Sequence, residues 1–163
     1  MYDVRVDLRD IEVLTGDDAP LVGRLWIRFP GRSFPGDAWS DFIASVVSST
    51  VTALRETLSG EGEGFAYFFD GPYYVYYRLL PASAPSLYIE ANCDGTGEPV
   101  SEWVGEVPLA QVVASWLSAV EAILARCAEA GLSGAAVAVL QRSQSELVAM
   151  AVQASWGRKT ATD

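Results

Sequence analysis

An unbroken apolar stripe runs through the last third of this chain. Leu109, Val112, Val113, Trp116, Leu117, Val120, Ile123, Leu124 and Cys127 recur at the spacing of one helix face. Such a stripe leaves water only by lying on another apolar surface, so the rest of the sequence has to supply a wall for it. Pro108 suits the first turn of this helix, and Gly131 closes it.

Alternation earlier in the chain predicts that the wall is a sheet. Within residues 3 to 14, Val4, Val6 and Leu8 fall on one face and Asp3, Arg5, Asp7 and Arg9 on the other. Ile11 and Val13 continue one residue late, which places a bulge near Asp10. Thr15 to Pro20 is turn material. Leu21, Gly23, Leu25, Ile27 and Phe29 then resume a strand whose other face shows Arg24, Trp26 and Arg28, and the two strands form a hairpin. Pro30 to Gly36 breaks the pattern. Asp37 is placed to cap a helix carrying Phe42, Ile43, Val46, Val47, Thr50, Val51, Leu54 and Leu58 on one stripe, with Ser45, Ser49, Thr52, Arg55 and Glu56 off it. Ser59-Gly60 ends that helix, and Glu61 to Gly64 is expected to be a flexible acidic connector.

Phe65 to Phe69 and Tyr73 to Leu80 are β-prone runs around Asp70-Gly71-Pro72, a hairpin whose turn Pro72 makes longer than two residues. After Pro81 to Pro85, Leu87, Ile89 and Ala91 alternate with Tyr88, Glu90 and Asn92. Residues 93 to 107, with Gly95, Gly97, Pro99 and Gly105, read as a long loop. Ser133 is placed to cap an alanine-rich helix reaching about Trp156, with a break expected near Gln141 to Ser143. The expected fold is α+β, a mostly antiparallel sheet of about five strands with two or three helices on one face. It forms one domain over residues 1–156, with 157–163 a disordered tail.

The chain contains no histidine, which excludes Ser-His-Asp and Cys-His catalysis and most zinc sites. Gly60, Gly62 and Gly64 precede a strand where a phosphate loop would open a helix, so neither a cofactor nor a metal is expected. Cys93 and Cys127 read as free thiols of a reducing compartment. Met1 to Asp7 alternates charges where a signal peptide needs an apolar core, and no apolar run approaches a membrane span, so a cytoplasmic protein is expected. A net charge of −10 and a pI of about 4.4 disfavour nucleic acid and anionic membrane as partners and favour a basic protein.

Asp70, Glu90, Asp94, Glu98, Glu102 and Glu106 leave carboxylate chemistry as the open catalytic route. The four-residue spacing of the last four does not mark a helix, because glycine and proline interrupt it, and a solvated acidic loop is the plainer reading. Between Arg78 and Arg126 there is no lysine or arginine. That one-signed stretch is either a docking surface for a basic partner or a means of keeping an apolar chain soluble. Tyr73, Val75 and Tyr77 share one strand face and Tyr74 and Tyr76 the other, and only one of these faces can lie under helices. The second is a contact surface, or its tyrosines pair across strands as ordinary sheet stabilisers. The candidate contact residues are Tyr74, Tyr76, Asp94, Glu98, Glu102 and Trp26.

Trp39-Ser40-Asp41-Phe42 at a helix start and Phe69-Asp70-Gly71-Pro72-Tyr73 in a hairpin accompany this size, acidity and α+β layout. In these respects the whole chain resembles the immunity proteins of bacterial polymorphic toxin systems. The resemblance implies a cognate partner, a toxin domain blocked by an acidic and aromatic contact, and the inhibitor is a monomer or homodimer. Immunity families share no motif, so no residue role is carried over. A secretion chaperone, a carboxylate enzyme and a small-ligand carrier are the competing readings.

Overall fold

The N-terminal alternation is realised as β1 (Asp3–Val13) paired antiparallel with β2 (Leu21–Phe29), in a computed structural model that describes residues 1–13, 19–81, 84–95 and 97–156. The register slips between Asp7 and Glu12, the bulge expected near Asp10, and this keeps Ile11 buried alongside Val4. Most of the expected turn at 15–20 and the expected tail at 157–163 lie outside the described residues. β3 (Arg32–Phe34) and β4 (Ser40–Phe42) pair with opposite ends of β2 to complete a four-stranded sheet. β5 (Glu63–Phe68), β6 (Tyr73–Leu80), β7 (Ser86–Cys93) and β8 (Val100–Pro108) form a second antiparallel meander. Three helices accompany them: α1 (Ile43–Leu58), α2 (Leu109–Glu129) and α3 (Ala135–Trp156). The chain is α+β, with eight strands in two sheets among the described residues where about five strands were expected.

Several local expectations are corrected. Asp37 does not cap a helix: Ser40–Phe42 first pairs with Val22–Arg24, and α1 starts at Ile43 with no side-chain cap. Glu63 and Gly64 belong to β5, so the connector is shorter. The expected loop at 93–107 contains β8. Gly105 is there because the Trp103 ring occupies the space of its missing side chain, an added Cβ falling 2.5 Å from Cη2. α3 is continuous through Gln141–Ser143, because Ser143 takes a buried place on the stripe of Leu140, Leu147, Met150 and Ala154. Its first turn closes on the Gly134 carbonyl, with Ala138 N–H donating at 3.1 Å, and the helix begins two residues after Ser133. α2 also has the length and apolarity to cross a membrane, contrary to the expectation, but its stripe is buried in the core.

Both sheets turn their inner faces to one core. Val4, Leu25, Ile27 and Phe29 come from the first sheet, Val75, Tyr77, Leu87 and Ile89 from the second, with the stripes of α1 and α2 among them. Phe29 stacks on Trp103 at 4.1 Å, and Phe34 meets Phe68 and Tyr73 edge-on, each at 5.6 Å, joining the sheets at one end. α2 ends in a Schellman motif: Leu132 N–H donates to the Cys127 carbonyl, Gly131 N–H to that of Ala128, and Gly131 has φ +65°.

In the core, Trp116 Nε1–H donates to the Tyr2 hydroxyl at 2.7 Å, which lies 3.5 Å from the Tyr77 hydroxyl. Burial pushes the Tyr77 phenol up to about 12 and raises that of Tyr2 well above its ordinary value, with Tyr77 beside it adding to the rise. The folded state therefore holds these protons more tightly than the unfolded chain does. The stability they contribute is complete below the unfolded value near 10 and is lost as pH climbs through the folded one. From Tyr77 alone, stability is expected to fall by about 3 kcal/mol between roughly pH 10 and 12. Urea midpoints across that range should show the fall, and Tyr77→Phe should make it shallower while leaving the share that the burial of Tyr2 contributes. A midpoint that does not move with pH would contradict the burial of these hydroxyls.

Candidate binding face

Small and large residues alternate along β5 with the usual polarity inverted: Gly64 and Ala66 are buried while Phe65 and Tyr67 are exposed. The cause is α1, which lies so close to the inner side that an added Cβ at Gly64 would fall 2.2 Å from the Ala53 carbonyl oxygen. No aromatic ring fits there, so both rings point outward. β4 behaves alike, with Asp41 buried and Phe42 exposed, so Phe42 is not part of the helix stripe as expected.

On the outer face of the second sheet the rings form a connected group. Phe65 lies 6.1 Å from Tyr74 and 5.0 Å from Tyr76, and Tyr67 lies 6.2 Å from Tyr74. Carboxylates edge this group. Tyr76 donates its hydroxyl to Glu63 at 2.7 Å and Tyr88 donates to Glu90 at 2.6 Å, while Arg78 lies 4.9 Å over the Tyr88 ring. Burial raises the Tyr74 phenol, and the negative charges of Asp94 and Glu90 raise it further. Burial and then the Glu63 hydrogen bond raise Tyr76, and the Glu90 hydrogen bond is the main cause for Tyr88. These phenols therefore stay neutral donors in an acidic setting.

Phe65 and Tyr67 also form a wall of an open groove of about 750 Å³. Its floor is the off-stripe face of α1, Ser45, Ser48, Ser49 and Thr52, which share a side at helical spacing. Ser49 Oγ accepts the Tyr67 N–H at 2.9 Å and fixes floor to wall. Ala135, Ala136 and Val139 from the start of α3 stand opposite, Phe42 and Phe69 add further rings, and Glu56 is the charged residue in the lining among the described residues. Phe42, Phe65, Tyr67 and Phe69 are 36%, 43%, 50% and 50% exposed, an apolar surface of the kind that marks contact sites.

Asp41 holds the aromatic end of the groove. Its Oδ1 accepts the Phe42 N–H at 2.7 Å, and its Oδ2 accepts the Phe69 and Asp70 N–H groups at 2.9 and 3.2 Å and Trp39 Nε1–H at 3.2 Å. The segments Trp39–Phe42 and Phe69–Asp70 are thereby joined by one buried carboxyl group.

The structure brings together some of the sequence candidates and separates others. Tyr74 and Tyr76 lie on the outer face, and Asp94 is near Tyr74, its N–H bonded to the Pro72 carbonyl at 2.7 Å. Glu98 is exposed in the β7–β8 connection. Glu102 is paired with Arg32, its side chain 16% exposed. Trp26 belongs to the other sheet, on β2 opposite Arg5, and its buried Nε1 has no hydrogen-bond partner among the described residues. Among the described residues no three carboxylate or thiol side chains converge as a metal-ligand set. The sequence reading missed Phe65, Tyr67, Phe69 and the hydroxyl floor; the signal for them was the small-large alternation Gly64-Phe65-Ala66-Tyr67.

Among the described residues the fold and face define an α+β protein with an exposed aromatic sheet surface running into a groove. Comparison of the chain with protein-family models, with curated proteins and with solved structures found no match.

Proposed function

We propose that this protein acts by contact, as an immunity-type inhibitor that neutralises a cognate bacterial toxin domain in the cytoplasm. The observation that carries this reading is the continuous exposed surface of Phe42, Phe65, Tyr67 and Phe69 around the groove. Aromatic side chains of this kind supply interface anchors with few torsions to freeze, and an acidic protein steers a basic partner onto them. The test is co-purification with the product of the adjacent reading frame, followed by affinity measurements on variants. Phe65→Ala with Tyr67→Ala is expected to weaken the complex by roughly a hundredfold, mainly through faster dissociation. Charge reversal at Asp94 and Glu98 is expected to slow association several-fold at low salt and to have little effect at high salt. Unchanged affinity in the aromatic double variant would remove this face from the interface.

A small-ligand carrier is the second reading, favoured by a groove volume within the range of small-molecule sites and by its apolar walls over a hydroxyl floor. Native mass spectrometry of the purified protein separates the two, since a carrier retains a small molecule and an inhibitor does not.

A further inference from the structure

Resting on the contact reading above, we propose that the partner segment crossing this face alternates arginine with large apolar side chains and straddles the ridge of Phe65 and Tyr67. To one side of the ridge lies the groove, whose far wall is Ala135, Ala136 and Val139. To the other lie Tyr74 and Tyr76, edged by Glu63 and Glu90. An extended chain sends successive side chains to opposite sides, so one that follows the ridge places every second residue in the groove and the others over the tyrosines.

The face already carries one guanidinium over a ring. Arg78 lies over the Tyr88 ring while Glu90 accepts the Tyr88 hydroxyl. Phe65, Tyr74 and Tyr76 with Glu63 repeat that combination of ring and carboxylate, and among the described residues no cation is recorded over these rings. A planar guanidinium stacks on such rings and pairs with carboxylates at its edge, which an ammonium does less well. A second copy of this chain is a poor occupant, because it would bring its own excess of negative charge, a net −10, against the same carboxylates.

The probe is a short end-blocked peptide alternating leucine and arginine, titrated into the isotope-labelled full chain and followed by NMR, with the citrulline and lysine counterparts as controls. Shift changes are expected at Phe65, Tyr67, Tyr74, Tyr76 and Val139. The citrulline peptide is expected to bind roughly tenfold more weakly and the lysine peptide to fall between. Tyr74→Leu with Tyr76→Leu should weaken the arginine peptide roughly fivefold, as should Glu63→Gln with Glu90→Gln, a pair chosen because it leaves the rings in place. Equal binding of the citrulline peptide, shifts confined to other surfaces, or self-association that buries the face and excludes the peptide would each overturn the proposal. If the peptide fails while Phe65→Ala with Tyr67→Ala still weakens the cognate complex, the arginine segment is wrong and the contact reading stands.

Discussion

Replacing Asp41 with alanine is expected to destabilise the protein by about 4 kcal/mol and to disable the groove in the molecules that remain folded. Asp41 is buried, and its carboxyl group accepts hydrogen bonds from Trp39 Nε1–H and from the N–H groups of Phe42, Phe69 and Asp70. A buried donor left without a partner costs roughly 1–3 kcal/mol. The Phe42, Phe69 and Asp70 amides belong to exposed residues and can recover water, so they count at the low end; the Trp39 indole is half-buried and counts for more. For a chain of this size the loss corresponds to a melting temperature lower by about 8–15 °C. Asp41→Asn keeps one acceptor oxygen but turns a donor toward donors, and should lose about half as much. Phe42 and Phe69 flank this carboxyl group, so partner affinity should fall with stability, and by more than in a surface variant of equal Tm. A melting temperature within a degree or two of the wild type would show that water replaces these bonds and that Asp41 does not organise the site.

How much of this was legible in the sequence depends on how local each feature is. β1, β2, β6 and β7 repeat an apolar residue at every second position over at least five residues, and α1 and α2 carry long stripes, so each shows its own period. β3 and β4 are three residues each, too short to show any. β8 was hidden because Gly105 reads as loop material in a sequence and is strand material only once the Trp103 ring covers it. Asp37 looked like a cap because a free β2 edge at Val22–Arg24, which draws Ser40–Phe42 into pairing, is invisible to a local pattern.

The same distinction divides the site. That Tyr74 and Tyr76 face away from Tyr77 follows from a two-residue period, and burial of Tyr77 agrees with it. Glu102 looked available because its partner, Arg32, lies seventy residues earlier in the chain. The groove could not be seen at all, since its floor comes from α1, one wall from β5 and the other from the start of α3. The closest of the approaches that set β5 against α1 is at Gly64.

Gly64→Ala is expected to cost about 4 kcal/mol, although strand propensity alone argues the reverse. In the interior of a strand glycine is worse than alanine by roughly 0.5–1 kcal/mol, so a local reading predicts a gain. The new Cβ, however, would fall 2.2 Å from the Ala53 carbonyl oxygen, 2.8 Å from its carbon and 2.9 Å from its Cα. These are helix backbone atoms that no side-chain rotation can move, and the same carbonyl accepts the Thr57 hydroxyl at 2.8 Å. Relief requires α1 and β5 to separate, which opens the packing of buried Ala66 and Phe68 and stretches the bond from Tyr67 N–H to Ser49 Oγ. Overpacking a well-filled core costs about 1–3 kcal/mol and more when the backbone must shift, so the steric effect outweighs the propensity. Gly62→Ala is the control: its φ of +77° strains alanine, but an added Cβ there meets nothing within 4 Å, and the expected cost is about 1 kcal/mol. Chemical denaturation of both variants decides the matter. A stability loss several times larger at Gly64, with weaker binding at the groove, means that helix–strand contact holds the aromatic rings outward; a neutral or stabilising Gly64→Ala means that α1 stands farther from β5, and the origin of the aromatic face must be sought elsewhere.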